Sequence, residues 1–212
     1  MKIRSSIVPI TMILFASTQV FGQGMGAISQ TGDVAAQPAS GHGGAENGAT
    51  LVRTNNGFTG IVSMPTPAPG MYTYPPHTCP NPTAGFFTGV AETFTLWAFN
   101  FDEPRACSDA AGNVPPDGDP VCDSDDVFSD PPRGGAFNVG GHVVGGPQLH
   151  LAGHITKNIV PAAGAPLTNP QGSEIHLAVA PHGALDPQNM PAQIKTPIGC
   201  PPLWWAAIFL AP

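Results

Sequence analysis

The sequence is short of charge. Only 10% of its 212 residues are Asp, Glu, Lys or Arg, and seven basic residues stand against fourteen acidic ones. Such a chain has no basic footprint, which argues against nucleic acid and anionic membrane surfaces as partners. Membrane-length apolar runs are missing too. Ile7 to Ala16 and Leu203 to Pro212 are apolar, but each is shorter than the roughly 20 residues that a span needs. No Cys-x-x-Cys pair is present, which removes zinc ribbons and thioredoxin-type redox sites. There is also no Gly-x-Ser-x-Gly elbow, His-Glu-x-x-His helix or phosphate-cradling glycine loop. Glu174 and Asp186 are the remaining candidates for an acid and base pair, and nothing in their spacing demands it.

Glycine and proline fill the space that charge leaves, at 26 residues each. That composition disfavours helices and suits turns, loops and short strands. Lys2 and Arg4 ahead of the run Ile7 to Ala16, with Val20-Phe21-Gly22 as the cleavage region, read as a signal peptide over residues 1–22. Export to the periplasm or the cell exterior follows, with no membrane span after removal of the signal. The exported part holds five basic and fourteen acidic residues, a formal charge of −9. All four cysteines lie in it, and an even count in an oxidising compartment implies two disulfides. Four cysteines allow three pairings; the favoured one joins Cys107 to Cys122, closing a short acidic loop, and Cys79 to Cys200, tying a Pro-rich segment to the last strand.

Residues 23–50 are mostly Gly, Ala, Ser and Gln, and read as a flexible leader because so few large apolar side chains offset the ordering entropy. Residues 51–212 then form one domain. Leu51 to Ser63 reads as two strands about an Asn56-Gly57 turn, and Thr93 to Phe101 as a strand buried on both faces. Gly134 to Gly146 reads as a bulged strand, and Pro187 to Gln193 as a helical turn. Short strands separated by turn chemistry predict an all-β fold, a single antiparallel β-sandwich or jelly-roll-like domain with long Pro/Gly-rich loops.

Two segments concentrate histidine: Gln148-Leu149-His150-Leu151-Ala152-Gly153-His154-Ile155 and Glu174-Ile175-His176-Leu177-Ala178-Val179-Ala180-Pro181-His182. In a strand, residues two apart share a face, so His150 and His154 project one way and the Leu and Ile residues the other. If the two strands are neighbours, His150, His154 and His176, with His182, Glu174 or His142 as a fourth, form ligands for copper or zinc. His150 and His154 lie roughly 13 Å apart along a regular strand, so they share one ion only if Gly153 bends the chain. Nine of the fourteen acids fall between Asp102 and Asp130. Asp117, Asp119, Asp123, Asp125 and Asp126 in that loop are candidate calcium ligands, without the EF-hand glycine and closing glutamate.

The passage from His142 through Leu151-Ala152-Gly153-His154-Ile155 to Gly172-Ser173-Glu174-Ile175-His176-Leu177 resembles the CHRD domain, an exported β-sandwich family similar to the copper/zinc superoxide dismutase fold. The family signature is a strand ending in a His-x-His element near Ala or Gly. Glu174 stands here where the first of those histidines belongs, so the resemblance carries over only His176, as a ligand or hydrogen-bonding residue. Together these readings describe an exported, disulfide-stapled binding domain with a metal at its strand histidines. The alternative is a structural or adhesive surface module, stiffened by calcium, that meets a protein or surface partner.

Overall fold

A computed structural model describes residues 19–20, 26–36, 44–67, 91–108, 121–195 and 205–212. Ten strands run β1 (Gln19–Val20), β2 (Ile28–Ala36), β3 (Gly44–Thr54), β4 (Gly57–Pro65), β5 (Glu92–Phe101), β6 (Gly135–Val144), β7 (Gln148–Thr156), β8 (Ala163–Gly164), β9 (Glu174–Ala184) and β10 (Trp205–Phe209). Two short helices, α1 (Ser124–Val127) and α2 (Met190–Lys195), are the only α-helices among the described residues. The expected all-β antiparallel architecture is present.

The strands form one continuous sheet in the order β7-β4-β3-β2-β10-β9-β5-β6-β8, with β1 paired to β2. Curling brings the two halves face to face over a single core. Gly60 of β4 sits against Leu177 of β9, where a Cβ would come within 2.8 Å of the leucine side chain. The core between them gathers Leu51, Phe58, Val62, Phe94, Leu96, Leu149, Leu151, Leu177, Val179, Trp205 and Phe209. Burial of these apolar side chains, each worth about 1.5–3 kcal/mol, is the main force that holds the curl.

The seam between β6 and β7 follows from one extra residue. On β6, Gly140 pairs with Leu96 and Asn138 with Trp97, so Val139 is left over as a bulge. Its carbonyl turns towards β7, where a Cβ on Gly153 would stand 2.0 Å from Val139 O. Gly153 therefore admits a neighbouring backbone. It does not bend its own strand, since the β4–β7 ladder runs without a register shift from Gly57↔Thr156 to Pro65↔Gln148.

Residues 23–50 depart from the expected leader. All of β2 and the first part of β3 lie in this segment and pair with each other. Small residues serve here because large ones on β10 fill the space: a Cβ on Gly32 would meet the Phe209 ring at 3.3 Å. Elsewhere the strands follow the pattern, with every residue of β5 buried and the β3–β4 turn at Asn55-Asn56, one position earlier than expected.

The Cys107–Cys122 disulfide is formed. It lies in a second apolar cluster with Trp97, Phe99, Phe101, Val127, Ala178 and Ala180, on the outward side of β5 and β9. The part of the sheet built from β9, β5 and the start of β6 is thus covered on both faces, which accounts for the doubly buried β5. Cys79, Cys200 and most of the Pro-rich segment and of residues 1–22, where a signal peptide is expected, lie outside the described residues. Among the described residues no helix is long and apolar enough to cross a membrane.

Candidate functional site

The described histidines fall into four separate places: His150 and His154 on β7, His176 and His182 at different points of β9, and His142, exposed, on β6. In the sheet, β7 and β9 are divided by β4, β3, β2 and β10 in one direction and by β6 and β5 in the other. The expected set of His150, His154, His176, His182 and Glu174 therefore does not converge, and a single mononuclear site does not fit these residues. Among the described residues, the one grouping of three His, Cys, Asp or Glu ligand atoms within 4.8 Å is Cys107, Cys122 and Asp126, and its sulfurs are joined in the disulfide.

His150 and His154 stand exposed on the outer face of β7, while Leu149, Leu151 and Ile155 are buried on the other. Each is fixed by the residue directly opposite on β4. Ser63 faces His150 and Thr59 faces His154 in the ladder, with Ser63 Oγ 2.9 Å from His150 Nδ1 and Thr59 Oγ1 3.0 Å from His154 Nδ1. A hydroxyl at Nδ1 fixes the ring orientation and engages one of its two nitrogens, so that Nε2 is the nitrogen left for a ligand. Neither β4 nor β7 contains a charged residue. Between the rings lie Ala152 and its partner Ile61, both exposed. The hydroxyls were missed in the sequence; the available signal was their spacing, two polar positions four apart on β4 that mirror the two histidines.

Glu174 and His176 lie under the disulfide loop. Glu174 Oε1 accepts hydrogen bonds from Cys122 N at 2.9 Å and from His176 Nε2 at 2.6 Å. The His176 ring also packs on Phe101. Glu174 is buried, and its role is to bind the disulfide loop to the sheet. It also faces the buried Arg53 of β3, whose guanidinium donates to Gln30 Oε1 (2.7 Å), Ser173 O, and the carbonyls of Phe209 and Leu210 (both 3.1 Å). Burial lowers the Arg53 pKa to about 10, opposed by the negative charge of Glu174. Arg53 thereby closes one end of the curled sheet.

His182 is fully buried at the other end. Its Nε2 lies 2.6 Å from Thr95 Oγ1, which also accepts the Trp97 indole N–H at 2.9 Å. The ring's other nitrogen, Nδ1, is buried and has no hydrogen-bond partner among the described residues. Desolvation lowers the His182 pKa to about 4 against the weaker opposing pull of its hydrogen bond with Gln193, so the ring is neutral. Gln193 of α2 ties this end together by donating to the carbonyls of His182 (3.0 Å) and Ala184 (2.8 Å).

The acidic loop is organised from within. Asp123 caps α1 by accepting from Asp125 N, and Asp126 accepts in return from Asp123 N. Asp126 is buried, and also receives Ser108 N, Ser108 Oγ and Arg133 Nη1. Burial pushes its carboxyl up, but these hydrogen bonds outweigh that and hold its pKa below the usual carboxylate range. Asp125 is exposed, and Asp117 and Asp119 lie outside the described residues. Glu174 and Asp186 do not form an acid and base pair, since Asp186 caps the start of the α2 turn at Gln188 and Asn189.

Comparison with known proteins returned no match: no family, no curated protein and no solved structure resembles the chain closely enough to count.

Proposed function

We propose that the chain is an exported, disulfide-stapled β domain that binds at its surface, through the outer face of β4 and β7, and that the ligands there are copper or zinc ions, one held at Nε2 of His150 and another at Nε2 of His154. The observation that carries this reading is the pair of cross-strand hydroxyls at Nδ1 of both rings. Metal-binding histidines are usually oriented by such a contact at the second nitrogen, and neutral imidazole is the commonest transition-metal ligand. Buried polar groups elsewhere, at Arg53, Glu174, Asp126 and Gln193, are consumed by internal bonds. Each exposed imidazole supplies one donor, and the coordination is completed from outside the chain.

The alternative, a metal-free adhesive module, draws support from the same face, which is uncharged and lined by hydroxyls. Calorimetric titration with zinc or copper separates the two. The metal reading expects uptake that weakens at least tenfold in the His150→Ala/His154→Ala variant and is unchanged in His142→Ala. Uptake unaffected by the double substitution, or no uptake by the folded protein, overturns it in favour of the metal-free module.

A further inference from the structure

We infer that the metal joins two copies of this chain, stacked face to face through β4 and β7 about a twofold axis that passes over Ala152 of β7, in the gap between the copies. The inference rests on the surface-metal reading above and names its missing partner. A single copy presents two imidazoles roughly 13 Å apart, too far to chelate one ion. A twofold axis lying between the stacked sheets and perpendicular to β7 turns the second strand end for end. It places His150 of one copy over His154 of the other, and the reverse, which makes two equivalent sites of two imidazoles each. Stacked sheets lie about 10 Å apart. Two imidazoles that meet one ion through bonds of about 2 Å bridge a gap of that size, with water filling the remaining positions.

Charge favours this face over others. The chain carries a formal charge of −7, so most of its surface repels a second copy. The β4 and β7 strands have no charged residue at all, and the carboxylates on this half of the sheet, Asp33 and Glu46, lie on β2 and β3. At the axis Ala152 is small enough to permit approach, and its cross-strand partner Ile61, 42% exposed, offers apolar surface to the second copy. An isologous contact of this kind uses the same patch twice and closes after two copies. The opposite half of the sheet cannot substitute, because the disulfide loop already covers it.

The test is the mass of the oxidised full chain in solution, by light scattering, with and without equimolar zinc, beside calorimetric zinc uptake. The expected result is a doubled mass with zinc that returns to the monomer value with a chelator. Because each site draws one ring from each position, His154→Ala alone abolishes the doubling, and so does His150→Ala, while His142→Ala, at an exposed residue of β6, leaves it intact. Zinc uptake with no change of mass overturns the pairing and leaves the surface-metal reading standing. Doubling that survives in His154→Ala also overturns it. No zinc uptake at all removes both.

Discussion

Arg53 and His182 are the two buried groups whose ionisation the fold controls most strongly, and they do so in opposite senses. Arg53 keeps its charge because four acceptors surround it. Arg53→Ala is expected to cost about 3–5 kcal/mol, since it strands those acceptors and the buried Glu174 together. Urea unfolding of the variant measures this as a lowered midpoint. His182 is held neutral, with a folded pKa of about 4 against 6.5 for the free side chain. Below pH 6.5 the unfolded chain takes up a proton that the folded chain refuses until about pH 4, so stability falls as pH drops through that window. The full loss amounts to about 3 kcal/mol. A His182→Gln variant should start less stable at neutral pH and lose less between pH 7 and 5; an unchanged slope in urea titrations at the two pH values sinks this account.

At the level of strands, the points of closest approach decide tolerance to substitution. Gly153→Ala puts a methyl group onto the Val139 carbonyl, a backbone atom that cannot rotate away, and should cost about 1–3 kcal/mol or open the β6–β7 seam. Gly146→Ala is the control, because nothing lies within 4 Å of its added Cβ. Thermal melts of the two variants read out the difference. The Cys107–Cys122 bond closes a loop with a sequence separation of 15. Its removal by paired Cys→Ala substitution should destabilise the domain by about 3 kcal/mol, through a less restricted unfolded chain and a looser cover over Trp97 and Phe99. A melt indistinguishable from that of the parent chain runs against this. The disulfide pairing, the doubly buried β5 and the outward aim of His150 and His154 were all legible in the sequence, because each follows from local spacing. The strands inside residues 23–50 were not, since their Gly and Ala positions make sense only once Trp205 and Phe209 lie across them.

For the molecule as a whole, the legible part ends where long-range order begins. Alternation along a strand tells which face a histidine occupies, and it tells nothing about which strand lies alongside. That information sits in the sheet order, where β7 joins β4 and β9 joins β5 and β10. The metal set that looked compact in one dimension is therefore spread around the curl, and only the pair on β7 remains together on an open face. Arg53, Thr95 and Gln193 show the converse: distant in sequence from their partners, they become the polar closures at the two ends.

The place of β10 between β2 and β9 also governs biogenesis. Chain synthesis yields the β2–β3–β4 hairpins and the β5–β6 pair early, but their two halves have no hydrogen-bonded junction on this side until Trp205–Phe209 emerges. Until then β2 and β9 present bare edges, the state most open to wrong pairing. A chain cut after Lys195 should accordingly stay protease-sensitive and aggregate, and recover a protected core when a peptide spanning residues 203–212 is supplied; a cut chain that is already protected would show that the halves close without it.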